Sequence, residues 1–395
     1  MAASGNSTSI SWTDKTLTIA VGCTRVGKNS ECDHCYAALD GTRRADWSKK
    51  PHSLYEGVLV RRNPDTGRAD WTGRVNVDLG RLDAIKHLPA GSMCFINSLS
   101  DTYHKEITDD QIRAMFEAMA ARPDVVFQVL TKRSERALAL APSLPWPDNI
   151  WMGVTVGVKA SLHRLDDLRG MMALGERGPK VRFVSAEPLV EELDLEPWLS
   201  DGTLTQVLVG GESKSGFRPM DDDWVRKIRD ACKKDGRDTC LFFKQRAAMK
   251  PDKKPELDGR TWEEQPPLPK AVADARAASE ARRAARAEKS AAVRPAQAES
   301  GRQRRTEADG MTSKKGGGPR LTIRGLDEEF QARVKAAADD RRTTVGSLIK
   351  AAVDLYLSTS PPPVAEDRLA GFEERLKTVE ALLRVGATTA GPSSQ

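Results

Sequence analysis

Eight short runs of apolar and β-branched residues recur along the first two thirds of the chain, separated by polar or amphipathic stretches. They are LTIAVG (17–22), RVNVD (74–78), MCFIN (93–97), VVFQVL (125–130), IWMGVTV (150–156), VRFVSA (181–186), QVLVGG (206–211) and CLFFK (240–244). Most are nearly continuous apolar runs, the pattern of strands covered on both faces. Between them, DDQIRAMFEAMAAR (109–122), SERALALA (134–141), LHRLDDLRGMMAL (162–174) and DDDWVRKIRDACKKDG (221–236) read as helices. Thr108 stands where an N-cap belongs, with Gln111 three residues on. Alternation at this spacing predicts parallel βα units, hence an α/β fold built as a (β/α) barrel or partial barrel. An open doubly wound sheet is the alternative.

This pattern organises residues 8–265 and then stops. Residues 266–319 are Ala/Arg-rich and then Gly/Ser/Lys-rich, which predicts a solvated helix running into a basic flexible linker. At 320–358 a compact unit appears: RLTIR alternates polar and apolar, and two helical stretches follow. After a proline brake, residues 365–386 place Leu369, Phe372, Leu376, Val379 and Leu383 at 3-4-3-4 spacing, a short coiled-coil seam.

Composition narrows the class. The chain has 395 residues, 39% hydrophobic and 30% charged, and no apolar run approaches the ~18 residues of a membrane span. The start carries no charged stretch followed by an apolar core, so no secretory signal is expected and the cytoplasm is the expected compartment. Net charge is +6, yet residues 270–320 hold thirteen Lys and Arg against six Asp and Glu. The basic excess therefore sits in one segment, which points to a polyanion contact there.

Candidate chemistry starts with cysteine. Three of six cysteines, Cys23, Cys32 and Cys35, form a C-x8-C-x2-C cluster directly after the first predicted strand. In a chain without a disulfide framework this spacing favours metal binding. Zinc would need a fourth ligand from His34, Cys94, Cys232 or Cys240. A [4Fe–4S] cluster on three thiols would instead keep one iron open. Other polar groups recur where the remaining strands end: Asn97, Ser98, Asp101 and His104; Thr131, Lys132 and Arg133; Glu187; Gly210, Gly211, Glu212 and Ser213; Lys244 and Gln245. Barrel chemistry sits at carboxyl ends of strands, so these groups would line one cup around the cysteine loop. The chain has no H-E-x-x-H and only five histidines, which speaks against zinc hydrolysis.

In order along the chain, SISWTDKT, GCT, CDHCYA, FINSLSDTYH, QVLTKR, RFVSAEPL, LVGGESKSGFRPMDDDWVRKIRDAC and FFKQ resemble the phage and mobile-element family called gp thirty-seven/gp sixty-eight, which has no settled reaction. That family is grouped with radical S-adenosylmethionine (SAM) barrels. The resemblance implies a [4Fe–4S] cluster on Cys23, Cys32 and Cys35. SAM would sit on the open iron, and a reductant would be needed. It makes Gly210, Gly211 and Glu212 provisional SAM contacts, and Lys132, Glu187 and Lys244 catalytic candidates. The first cysteine gap is eight residues and His34 precedes Cys35, both departures from the commonest signature of that superfamily.

The tail resembles a ribbon-helix-helix module of the Arc and MetJ type. Such a module pairs two chains through one strand each, so a homodimer is implied, with a tetramer open through the coiled coil. Period-two alternation turns Arg320, Thr322 and Arg324 outward, toward DNA bases in that arrangement. The expectation is an iron–sulfur, radical-SAM-like enzyme acting on or recruited to nucleic acid. Its alternatives are a metal-stabilised DNA-binding regulator with a non-catalytic barrel, or a zinc-dependent hydrolase or nuclease.

Overall fold

The computed structural model describes residues 6–27, 30–38, 54–58, 61–62, 69–252 and 254–286. These belong to the first of two compact units, Met1–Ala298; the second is Glu299–Gln395. The ribbon-helix-helix segment with Arg320, Thr322 and Arg324, the coiled coil and most of the linker lie outside the described residues.

Seven parallel strands form the frame: β1 (Lys15–Leu17), β2 (Met93–Ile96), β3 (Val126–Thr131), β4 (Ile150–Thr155), β5 (Arg182–Ala186), β6 (Gln206–Gly210) and β7 (Cys240–Gln245). They pair in chain order, and Asn6–Ser7 adds an antiparallel strand outside β1. The register runs from Lys15 opposite Cys94, through Phe127 opposite Ile150, to Phe183 opposite Gln206. Because β1 and β7 are not paired, the sheet is a partial barrel.

One predicted strand, 74–78, falls outside this frame, and of another, 17–22, only Leu17 lies in β1. Of 74–78 only Asn76–Val77 is extended, and it pairs antiparallel with Ala20–Val21 in a separate ribbon. The reason is visible in its pattern: Arg74, Asn76 and Asp78 make one face polar, whereas a strand inside a parallel sheet must be apolar on both.

Helices α1 (Asp109–Ala120), α2 (Ser134–Leu140), α3 (His163–Met172), α4 (Glu196–Ser200) and α5 (Asp222–Lys233) fill the connections. The Thr108 box forms in both directions, the hydroxyl accepting from Gln111 N–H and the Gln111 side chain from Thr108 N–H. α1 turns Ile112, Met115, Phe116 and Met119 onto the sheet, and α5 turns Val225, Ile228 and Cys232. A further helix, α6 (270–286), begins where composition marks the start of the linker. It is mostly exposed, as a solvated helix should be, but Val272 is fully buried. Its Arg276 donates to Gly91 O at 2.8 Å and pairs with Asp14 at 2.8 Å.

Two cores follow from the alternation of each strand. Outward residues such as Cys94, Phe127, Val129, Met152, Val184, Val207 and Phe243 join the helices in the large core. Inward residues Met93, Phe95, Val126, Trp151, Phe183, Leu208 and Phe242 form a second cluster with Trp12 and Val272. Gly153 belongs to this interior: a Cβ there would lie 2.3 Å from the Phe183 ring, so only glycine admits that ring.

Candidate functional site

Followed toward their carboxyl ends, the inward columns change character. Trp151 and Gly153 give way to Thr155, Phe183 to Ser185 and then Glu187, and Phe242 to Lys244. Those polar residues line a cavity of about 120 Å³ together with Asn97, Lys132, Arg133 and all three clustered cysteines. Part of the cup expected from strand ends is therefore present beside the cysteine loop, while His104, Gly210, Gly211, Glu212, Ser213 and Gln245 fall outside it.

The loop leaves the Ala20–Val21 ribbon at Gly22, whose φ of +109° excludes other residues, and where a Cβ would lie 2.1 Å from Arg74 O. Within it, the Ser30 hydroxyl donates to Val26 O at 2.7 Å and accepts from Cys32 N–H at 3.1 Å. Cys23 is addressed by Arg133, whose two terminal nitrogens lie 3.7 and 3.8 Å from its sulfur. The same guanidinium donates to Thr24 O at 3.0 Å, Thr24 Oγ1 at 2.8 Å and Asp101 Oδ2 at 2.9 Å. Burial pushes the Cys23 thiol up to about 12, with Arg133 opposing.

Asp101 is the anchor behind Arg133. It also accepts from the Thr131 hydroxyl at 2.6 Å, Lys132 N–H at 2.9 Å and Tyr103 N–H at 3.0 Å. Burial alone would raise its carboxyl, but Arg133 and these donors hold it below its ordinary value. The Lys132 ammonium behaves in mirror image. Burial works against its charge, yet Cys32, Cys35, Glu31 and Asp101 keep it above the usual lysine value. Glu187 and Lys244 form an ion pair inside the cavity. Thr155 Oγ1, also on the cavity wall, and Glu187 Oε1 are buried with no hydrogen-bond partner. Such orphans are costly unless something else meets them.

Other candidates have structural occupations. Asn97 adopts φ +59° and its side-chain oxygen accepts from Ile19 and Ala20 N–H, tying β2 to the chain after β1. His104 is fully buried, with Nε2 3.0 Å from Thr24 Oγ1 and Nδ1 accepting from Glu106 N–H. Ser98 carries the Tyr36 hydroxyl on its carbonyl, and Ser213 forms a bridge with Ala248. Gly210, Gly211 and Glu212 are not part of the cavity wall. Gly210 abuts the Glu187 side chain. A Cβ on Gly211 would lie 2.2 Å from Ala247 N, and its carbonyl accepts from Gln245 Nε2 at 2.8 Å. Glu212 is buried against His34 and Arg218.

Among the described residues no group of three His, Cys, Asp or Glu side chains is already gathered to hold a metal ion. The donor chemistry nonetheless fits a thiolate-held centre, because three thiols share one cavity with a lysine and an arginine beside them. The fourth zinc ligands considered above are not on that cavity. His34 faces Glu212, Cys94 and Cys232 are buried in the outer core, and Cys240 opens β7 at the opposite end of the barrel. The sequence did not single out Glu31, Arg164 or Arg218. Glu31 lies inside the cysteine motif and Arg218 inside GFRP, but neither arginine carries a local pattern that would mark it.

No curated protein matches the chain. Among solved structures, two mutants of spore photoproduct lyase align at 12% identity, with TM-scores of 0.32 and 0.31. A third structure, spore photoproduct lyase complexed with dinucleoside spore photoproduct, aligns with a TM-score of 0.31. Each alignment covers 58% of this chain and 64% of the other, so the match spans less than two thirds of those proteins' length. A family model covers residues 7–266, and the chain belongs to that family, described as a protein of unknown function (DUF5131).

Proposed function

We propose that this chain is an iron–sulfur enzyme of the radical SAM type, acting on or recruited to nucleic acid. One observation carries the reading: three thiols, with no fourth cysteine and no histidine beside them on their cavity among the described residues, face a cup of charged and hydroxyl side chains at the carboxyl mouth of a parallel partial barrel. Cys23, Cys32 and Cys35 would hold the cluster. When bound, a cluster with one iron free of protein ligands supplies the electron for reductive cleavage of a ligand at that iron.

The chain's own groups do the rest. Lys132 offers a half-buried ammonium to an anionic group, and the Glu187–Lys244 pair offers both charges from the far wall. Thr155 Oγ1 and Glu187 Oε1 have hydrogen-bonding capacity left for a ligand. Beneath them the rings of Trp12, Phe95, Trp151, Phe183 and Phe242 keep water from entering from below. Gly210, Gly211 and Glu212 enter this reading as supports of the cup. The nucleic-acid part rests on the basic segment at 270–320 and on the RLTIR pattern with Arg320, Thr322 and Arg324.

The test is iron, sulfide and zinc content with a visible spectrum, on protein purified without oxygen. About four irons and four sulfides per chain with broad absorption near ~400 nm are expected. Cys35→Ala should lose both, together with reductant-dependent consumption of SAM. One zinc and no iron would end the radical reading in favour of a structural or hydrolytic metal.

A further inference from the structure

Cys32 and Cys35 are each preceded by a residue whose side chain reaches a different strand end. Before Cys32 comes Glu31, whose side chain is completely buried. Its Oε1 accepts from Gly157 N–H at 2.8 Å, from the Ser161 hydroxyl and from Arg164 at 3.3 Å. All three lie just beyond β4. Gly157 is needed for this approach, since a Cβ there would sit 1.9 Å from Pro188 O and 2.8 Å from Glu31 Cγ. Arg164 is itself fixed by donating to Thr155 O at 2.6 Å.

Before Cys35 comes His34, whose Nδ1 lies 2.6 Å from Glu212 Oε2, just beyond β6. Glu212 also accepts from Arg218, through N–H at 2.6 Å, Nε at 2.9 Å and a terminal nitrogen at 2.6 Å. That arginine closes the circuit, donating to Ser30 O at 3.0 Å and approaching Asp33 at 3.8 Å. The segment from Ser30 to Cys35 is thus clasped from two sides by carboxylates with hydrogen-bonded partners. No such arrangement is needed for a surface loop, and a buried ion pair is costly unless its geometry is held.

We infer that Glu31 and Glu212 are positioning residues that hold the cysteine loop ready for its metal. The inference rests on the reading of the three cysteines as metal ligands. It assigns the carboxylate of GGE to the loop and leaves the ligand to the cup. Groups that orient metal ligands typically change metal affinity by 10–100-fold when removed.

The experiment pairs amide hydrogen exchange of the apoprotein with the rate of iron loss to a chelator, in Glu212→Gln and Glu31→Gln. Exchange across 30–36 should rise about tenfold or more in each variant while α1 stays as protected as in the parent. Iron loss should quicken by a similar factor. Glu212→Asp should restore part of both. If Glu31→Gln does not fold, Glu31→Gln with Arg164→Met removes both charges and gives the same readout. Unchanged exchange over 30–36 in the variants overturns the clasp. A parent protein that takes up neither iron nor zinc overturns the metal reading instead, and the exchange data still decide whether the glutamates hold the loop.

Discussion

At the amino end of the barrel interior, Trp12, Phe95, Trp151, Phe183 and Phe242 fill the space with rings, Trp12 and Phe95 having centroids 4.9 Å apart. One step along the same strands, Thr155, Ser185, Glu187 and Lys244 face a cavity. The two ends share backbones, register and outer helices, so the difference lies entirely in the inward side chains. It teaches how a fold can hold unmet polar groups. The ring-packed end supplies burial that stabilises the sheet, and the other end can then carry orphaned hydroxyl and carboxylate atoms at a cost the whole tolerates.

The sharpest way to break the contrast is to hollow the ring-packed end. Phe183→Ala should destabilise the protein by about 3–5 kcal/mol in urea unfolding, with metal content per folded chain unchanged. A change in metal content at full stability would show that the two ends are not separate. Arg133→Met attacks the polar end instead and strands the Asp101 carboxylate in the interior. A loss of about 3 kcal/mol is expected, much of it recovered when Asp101→Asn is added, as a double-mutant cycle would read.

The smallest effect is a pH slope. Burial, and then Arg133, push His104 down to about 4, against about 6.5 in an unfolded chain. The unfolded chain therefore binds a proton between those values that the folded chain does not. Stability is full above pH 6.5 and falls as pH drops, by about 1–2 kcal/mol at pH 5. His104→Gln should flatten the stability difference between pH 7 and pH 5 by that amount. An unaltered slope would assign it to the carboxylates.

How much of this was legible in the sequence depended on how local each cause is. The six later strands were legible because their outer faces are apolar without interruption, and the Thr108 box because both partners lie within one turn. The cup was legible because its members end successive strands. The strand at 74–78 misled because two valines outweighed three polar neighbours on its other face. The clasp could not be read: Glu31 and Arg164 are 133 positions apart, and Arg218 and Ser30 are 188 apart. No periodicity links such pairs. The glycines before Glu212 look like a ligand approach in sequence. In the fold Gly211 makes room for the backbone at Ala247.

The α6 helix bears on where this barrel can be cut. The family match ends at residue 266, yet Val272 completes the ring-packed interior and Arg276 ties Gly91 to Asp14. Gly91 has no room for a side chain, since a Cβ would lie 2.5 Å from Arg276 N. A fragment trimmed at the match would expose the underside of the rings and leave the Gly91 carbonyl without its donor. The self-sufficient piece of this chain is therefore longer than its family signature, and its natural end lies past Arg276.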